Sequence, residues 1–545
     1  MPTPDSKKNS SSTFIRGAAI LGAAAILVKV LGAFFRIPLG NIIGDKGMSY
    51  YQGAYAYYIM LLTASTAGIP TAIAKIVSER LAKGNERGAM SIVRVSNILM
   101  LVIGAASALL LFIFAPWITE ANENYGSLMS MRALAPALFF VSMMAVYRGY
   151  FQGRQMMEPF AISQVIEQLF RVVGGLGLAI VFLQSGFEFA AAGATFGATT
   201  GAVIGFVAVF YMYRKFVKTS GIDFEQGTGE HESFWKVLGE ILMIAIPITI
   251  GASVMPIMGL FDASIVIVRL KEIGFSGADA ESLYGQLSGF AQSIVNLPQV
   301  ITAAVQISIV PAIANLKTLG DNKGLTHNVE TGMRLAMIIG LPAAAGISLL
   351  AEPIIRLLYF NQPDVWVTTG KILAVYGWGI IFLSLYQITT GIIQGFGKPV
   401  LPAIFLMAGA VFKLVLNYTL VSIPSLNVLG AAIATVTAFA VAAVLNVVYI
   451  MTRKEINLNI SKVFTRPIID TVVMGIVVVA SFALFTLFIP GRLATVASIL
   501  LGGFVYLIML FVTETITDED MDMMPGGSKL KKLGAKLRIR KNGRS

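Results

Sequence analysis

"GYFQGRQMMEPFAISQVIEQLFRVV", residues 149–173, has a fainter second copy at 391–416, "GIIQGFGKPVLPAIFLMAGAVFKLVL". Gly149 aligns with Gly391, Gln152 with Gln394, Gly153 with Gly395 and Arg171 with Lys413 at a constant offset of 242, although Pro159 and Pro402 fall one place out of step. Two weaker echoes keep the same order: "IPTAIAK" from 69 with "VPAIAN" from 310, and Pro116 with Pro353, each ahead of a loop. A duplicated block of helices predicts two lobes related by pseudo-symmetry. If each copy holds six spans, an even number, both enter the membrane from the same side, and the pseudo-axis runs along the membrane normal.

The chain is long enough for such a duplication, at 545 residues, and only 13% of them are charged against 56% hydrophobic. Its mean hydropathy of +0.77 lies well outside the soluble range. Apolar stretches of about 20 residues recur along almost the whole chain, each long enough to cross about 30 Å of hydrocarbon as a helix. The short alternating segments of a closed barrel are missing. The opening "MPTPDSKKNSSSTFIRG" is polar, and the apolar run after it is too long for the core of a cleaved signal. With no cysteine, disulfides and thiolate chemistry are excluded. The net charge of +12 does not point to nucleic acid, because the basic residues lie between spans and report topology instead.

Spans are expected at 14–40, 48–77, 90–115, 128–148, 159–184, 190–213, 238–267, 283–313, 332–358, 369–394, 400–421, 429–451, 467–489 and 492–514. The fold class is therefore an all-α integral membrane protein of about fourteen helices, with two pseudo-symmetric six-helix lobes and two C-terminal helices. The expected domains are an N-lobe at 1–213, a linker at 214–236, a C-lobe at 237–451, two appended spans at 452–514 and a basic tail at 515–545. Segments 78–89, 214–236, 452–466 and the tail are rich in Lys and Arg, whereas 116–127, 185–189, 359–368 and 422–428 are acidic or neutral. The positive-inside rule places the basic set, and with it both termini, in the cytoplasm. The loops are too short for a soluble catalytic domain.

Charges within the spans carry the functional argument, since each Arg or Lys at a span centre costs about 2.5–3.5 kcal/mol on insertion scales. Lys29, Arg171 and Lys413 fall near the midplane of spans 1, 5 and 11. Arg36 follows Lys29 by nearly two turns on the same helix face, and Arg148 sits at the cytoplasmic end of span 4. Snorkelling is open to Arg36, whereas Lys29 is too deep for it. Glu167 lies four residues before Arg171, so the pair reads equally as a structural bridge or as part of a cavity wall. Together Lys29, Arg36, Arg148, Glu167, Arg171 and Lys413 form a candidate basic chamber for an anionic, phosphate-bearing ligand.

Asp262 and Asn417 are weaker candidates for a coupling-cation site, and Asp262 reads equally as a partner of Arg269. Glu240 reads as solvated at a cytoplasmic end. His231 and His327 fall in expected cytoplasmic loops, which excludes a buried imidazole relay. The tyrosine-rich "YYQGAYAYY" at 50–58 reads as an interfacial belt, with sugar stacking as the alternative.

At "YRGYFQGRQMMEPFAISQVIEQLFRVV" the chain resembles the stage V sporulation protein B and YtgP group, related to the MurJ-type lipid II flippases of the multidrug/oligosaccharidyl-lipid/polysaccharide exporter superfamily. The likeness extends through "LVKVLGAFFRIPLG", "GIPTAIAKIVSERLAKGN" and "YGQLSGFAQSIVNLPQVITAAVQISIVPAIA". It implies alternating access of two six-helix lobes in the cytoplasmic membrane, with an undecaprenyl-pyrophosphate-linked cell-wall precursor as cargo and no catalytic residue, cofactor or metal. The span 1 cations of that family fall on Lys29 and, one place out of register, on Arg36. Its span 2 arginine has no counterpart in "YYIMLLTASTAGIP", and its span 8 arginine falls near the uncharged Gln292 and Ser293.

The partners implied are the lipid-linked glycan, membrane lipids and, as an open point, cell-wall synthesis proteins. Coupling to Na⁺, H⁺ or the membrane potential stays open. The competing readings are export of another lipid-linked polysaccharide unit, a small-molecule exporter of the multidrug type, and a membrane enzyme. An enzyme would rely on Glu120 and Glu123, which read as a solvated loop.

Overall fold

A computed structural model describes residues 4–220, 232–453, 455–456 and 458–516, with side chains from residue 20 onward. The linker core 221–231, with His231, and the tail from 517 lie outside the described residues. Helices account for nearly all the rest, and no strand occurs among the described residues. In order they are α1 (Pro4–Thr66), α2 (Ile69–Ala82), α3 (Glu86–Ala121), α4 (Leu128–Gly153), α5 (Met157–Phe182), α6 (Phe187–Thr219), α7 (Phe234–Glu272), α8 (Gly277–Gly285) and α9 (Gln292–Val295). Next come α10 (Gln299–Leu319), α11 (Asn322–Leu349), α12 (Ala351–Leu358), α13 (Trp366–Tyr376), α14 (Gly379–Gly395), α15 (Val400–Leu420), α16 (Val428–Met451), α17 (Arg466–Phe485) and α18 (Gly491–Val512).

Twelve of the described helices are long and apolar enough to cross a membrane, or thirteen when α13 and α14, bent by 40°, count as one span. The sequence reads fourteen, and the difference lies at the start of the chain. Ile20–Ala82 counts as a single 63-residue element, which at 1.5 Å per residue is about 95 Å of helix, three times the hydrocarbon core. Gly44 interrupts it with φ 67° and ψ −173°, a conformation open to glycine and costly for residues with a Cβ. The spans expected at 14–40 and 48–77 lie on either side of that break. The span read as continuous at 283–313 is broken as well: a π-helical turn at Gln286–Ala291 follows α8, and Pro298 precedes α10. His327 lies inside α11 rather than in a loop.

The chain divides into two compact units, Met1–Lys271 with Phe275–Gly285, and Glu272–Gly274 with Gln286–Ser545. The long helix α7 thus packs with the first unit. There, a Cβ on Gly68 would meet the Ala245 carbonyl oxygen at 2.1 Å, the Tyr57 and Ser264 hydroxyls are 2.7 Å apart, and Arg80 donates to Glu240 at 2.7 Å.

Within each unit the same contacts recur, and they establish the repeat on packing. A Cβ on Gly104 would lie 2.8 Å from Ser142 Cβ, and one on Gly340 would lie 3.0 Å from Ser384 Cβ. Gly149 closes on the Pro70 carbonyl and Ile73, both at 2.9 Å; Gly391 closes on the Gln306 carbonyl at 2.9 Å and Ile309 at 2.8 Å. Asn85 caps α3 through the Gly88 amide at 2.6 Å, and Asp321 caps α11 through the Gly324 amide at 2.9 Å. The helices of α4 and α14 keep the offset of 242, while the preceding pair, α2–α3 with α10–α11, matches at 236. Pro70 is therefore equivalent to Gln306 and not to Pro311, because contacts between glycine and backbone fix a register that a match of small apolar residues does not. The six extra residues of the second copy fall between its third and fourth helices.

Candidate functional site

In the first unit, α4 and α5 bring three of the expected residues into one network. Glu167 accepts from Arg171 Nη2 and from Arg148 Nη2, each at 3.0 Å. Arg148 Nε also donates to Ser163 Oγ at 2.9 Å. The three side chains are only 11–15% exposed, so each charge is held largely out of solvent by its partners, as burial demands. Small residues on α6 make room for this: a Cβ on Gly201 would lie 2.4 Å from the Glu167 carbonyl oxygen.

Aromatic rings complete the wall. The Arg36 guanidinium stands 5.8 Å from the centroid of Tyr55, Tyr55 stacks on Tyr51 at 5.4 Å and leans on Tyr58 at 5.6 Å. Tyr51 lies within electrostatic reach of both Arg36 and Arg171, so the cations of α1 and α5 share one aromatic neighbourhood. Tyr51 and Tyr58 are buried and belong to this wall, not to the interfacial belt that the run at 50–58 suggests. Along an unbroken helix Arg36 and Tyr55 would stand about 28 Å apart, so their contact depends on the turn of the chain at Gly44, which sequence periodicity does not carry.

Lys29 is exposed on α1. In the second unit Lys413 is buried, at 2% exposure, with Asn417 one turn further on α15. Asp262 is buried on α7 of the first unit, so the two members of the suggested cation site fall in different units. Among the described residues no group of three or more His, Cys, Asp or Glu is arranged to hold a metal ion.

Glu240, read as solvated, instead pairs with Arg80, which also engages Glu232 at 2.9 Å. Local sequence does not announce this three-residue node, because Arg80 is separated from Glu232 by 152 residues and from Glu240 by 160. Glu123, read as a solvated loop residue, pairs with Lys271 at 2.6 Å.

A family described as polysaccharide biosynthesis protein matches residues 14–317, more than half of the chain, and the MatE family matches 288–419. The lipid II flippase MurJ of Bacillus subtilis (strain 168) is 29% identical over 78% of this chain and 80% of its own length. Stage V sporulation protein B of the same organism is 26% identical over 95% and 98%. Among solved structures, the lipid II flippase MurJ in an inward closed conformation superposes with a TM-score of 0.68 at 16% identity, covering 91% of this chain and 98% of that one. An inward-facing multidrug resistance MATE family transporter gives 0.64 at 17% identity, covering 78% and 97%. With its many apolar spans and its repeated lobes, this multi-pass membrane protein is a transporter, and it belongs to the polysaccharide biosynthesis protein family as a MurJ-like member of the multidrug/oligosaccharidyl-lipid/polysaccharide exporter superfamily.

Proposed function

We propose that the chain is an alternating-access flippase that moves an undecaprenyl-pyrophosphate-linked cell-wall precursor, lipid II, from the inner to the outer leaflet of the cytoplasmic membrane, with both termini in the cytoplasm. The observation that carries the reading is the network in the first unit. Arg148 and Arg171 set two guanidiniums against the single carboxylate of Glu167, and Arg36 stands over the neighbouring Tyr55 ring. The four groups hold a surplus of two positive charges in a segment where each costs about 2.5–3.5 kcal/mol. A diphosphate diester carries about two negative charges and accepts forked, charge-assisted hydrogen bonds from guanidinium. Tyr55, only partly buried, offers a ring to the adjoining sugar, while Lys29 adds an exposed cation from α1.

The relative named a lipid II flippase supports this cargo. The test is transport in liposomes made with defined lipid-linked substrates and imposed ion gradients. Labelled lipid II should reach the outer face with the native chain and fail to do so with Lys29→Ala or Arg171→Gln, while both variants still insert. Normal flipping by both would overturn the assignment.

A second reading rests on the match to the MatE family at 288–419: export of a small molecule. An organic cation would need an acidic site, and the network in α4 and α5 is basic. Drug efflux by reconstituted protein that moves no lipid-linked substrate would favour this second reading.

A further inference from the structure

The second unit holds a cavity of about 520 Å³ lined by Glu352, Pro353, Arg356, Trp366, Phe482 and Arg492, with Gly491 and two threonines completing it. Its walls come from two places in the chain. Glu352, Arg356 and Trp366 flank the loop between α12 and α13, and Phe482 and Arg492 belong to the appended hairpin of α17 and α18. The charge asymmetry of the loops assigns this end to the outer face.

The cations are positioned and not merely gathered. Arg356 donates to Glu352 Oε1 through Nε at 2.9 Å and Nη2 at 2.5 Å, and its guanidinium lies 5.2 Å from the centroid of Trp366. The indole is fixed in turn by its Nε1–H, which donates to the Tyr359 carbonyl at 2.7 Å. Arg492 stands 5.7 Å from the Phe360 ring, and among the described residues it forms no ion pair. Arg356 is balanced by Glu352, so Arg492 leaves the cavity with one positive charge in excess. Arg492 also occupies the second position of α18, where the helix dipole disfavours a cation. Beside the cavity, Leu487, Phe488 and Leu493 are 59–77% exposed. A largely apolar pocket carrying one excess positive charge, beside an apolar rim, matches a molecule that is anionic at one end and greasy at the other.

We infer that this cavity binds the phosphate ester headgroup of an anionic lipid in the outer leaflet, with the phosphate on Arg492 and Arg356 and the acyl chains over the α17–α18 rim. The site is separate from the network of the first unit, and its occupancy is read without any transport. Purified full-length chain is incubated with mixed micelles of phosphatidylglycerol or phosphatidylcholine, and lipid adducts are counted by native mass spectrometry.

The native chain should retain phosphatidylglycerol about tenfold better than Arg492→Gln, the worth of one charge-assisted hydrogen bond. Arg492→Lys should recover part of the difference, and phosphatidylcholine should not distinguish the variants. Thermal unfolding of each variant shows that a loss of binding is not a loss of fold. Equal retention by the native chain and Arg492→Gln, or equal retention of the two lipids, would overturn the inference. Displacement of phosphatidylglycerol by millimolar glycerol 1-phosphate would overturn the lipid source and leave a site for soluble phosphate esters.

Discussion

Glu167→Gln separates the structural role of the α4–α5 network from its role toward an anion. The native carboxylate serves two guanidiniums at 3.0 Å, one on each oxygen. The amide keeps one acceptor oxygen, turns the other into a donor and removes the charge. One of the two arginines is then left facing an NH₂ group, and both lose their counter-ion while only 11% and 15% exposed. Breaking a buried pair on one side costs about 3–5 kcal/mol in water-soluble proteins, and polar contacts between membrane helices measure lower, about 0.6–1.7 kcal/mol each.

One lost hydrogen bond, together with the loss of the counter-ion to both arginines, therefore predicts destabilisation of about 2–5 kcal/mol. For a unit of this size that is a fall in melting temperature of roughly 5–15 °C. The assay is thermal unfolding of detergent-purified protein followed by size-exclusion chromatography. Arg171→Gln is the internal control: it leaves Glu167 bound to Arg148, so it should lower the melting temperature less than Glu167→Gln does while abolishing outward movement of labelled lipid II. A Glu167→Gln protein that melts with the native chain would refute the assignment of a shared buried carboxylate. So would an Arg171→Gln protein less stable than Glu167→Gln.

The repeat predicts matched penalties. Gly149→Ala and Gly391→Ala each drive a Cβ to 2.9 Å from a backbone carbonyl and should cost about 1–3 kcal/mol apiece, measured as similar falls in melting temperature. Arg80→Ala leaves Glu232 and Glu240 without their cation at the end of α2, and hydrogen exchange over 234–245 should accelerate by at least tenfold. At α8, burial raises the Glu281 carboxyl above its usual range, although the Tyr50 hydroxyl, donating at 2.9 Å, opposes that shift. A carboxyl whose folded-state value is raised contributes stability that is present when it is protonated and is lost as pH rises through that value. Glu281→Gln should therefore melt higher than the native chain at neutral pH, with the gap closing at acid pH.

The placement of most spans was legible because a bilayer imposes length and apolarity on each segment independently of its neighbours. The two-lobe plan was legible for a similar reason: Gly149, Gly153, Gly391 and Gly395 carry the repeat because a side chain at any of them would strike a neighbouring helix. What sequence did not reveal were relations across long separations. Glu240 looked solvated because its partner Arg80 is 160 residues away. The tyrosines at 50–58 looked interfacial because burial depends on what α5 and α6 place over them. The single crossing read at 283–313 is broken by a π turn, which no local propensity announces.

The two copies have not kept the same chemistry, and the difference follows from one position. At the offset of 242, Arg148 corresponds to Thr390, Glu167 to Gly409 and Arg171 to Lys413. In place of an ion network the second unit has a neutral one, with the Asn446 amide donating to Thr389 Oγ1 at 3.0 Å and Thr390 Oγ1 at 3.2 Å. Where the carboxylate would stand, Gly409 lets α15 and α16 approach so closely that a Cβ would lie 2.3 Å from the Ala438 carbonyl oxygen. A bridge like that of Glu167 cannot be restored by substitution, since even Gly409→Ala must push the two helices apart. Gly409→Ala should lower the melting temperature at least as far as Gly391→Ala, whereas Glu167→Ala at the equivalent place costs stability through its stranded arginines. A double variant, Glu167→Ala with Arg148→Ala, should recover part of that second loss and nothing of the first. If the recovery is absent, the cost at 167 arises from packing and not from charge.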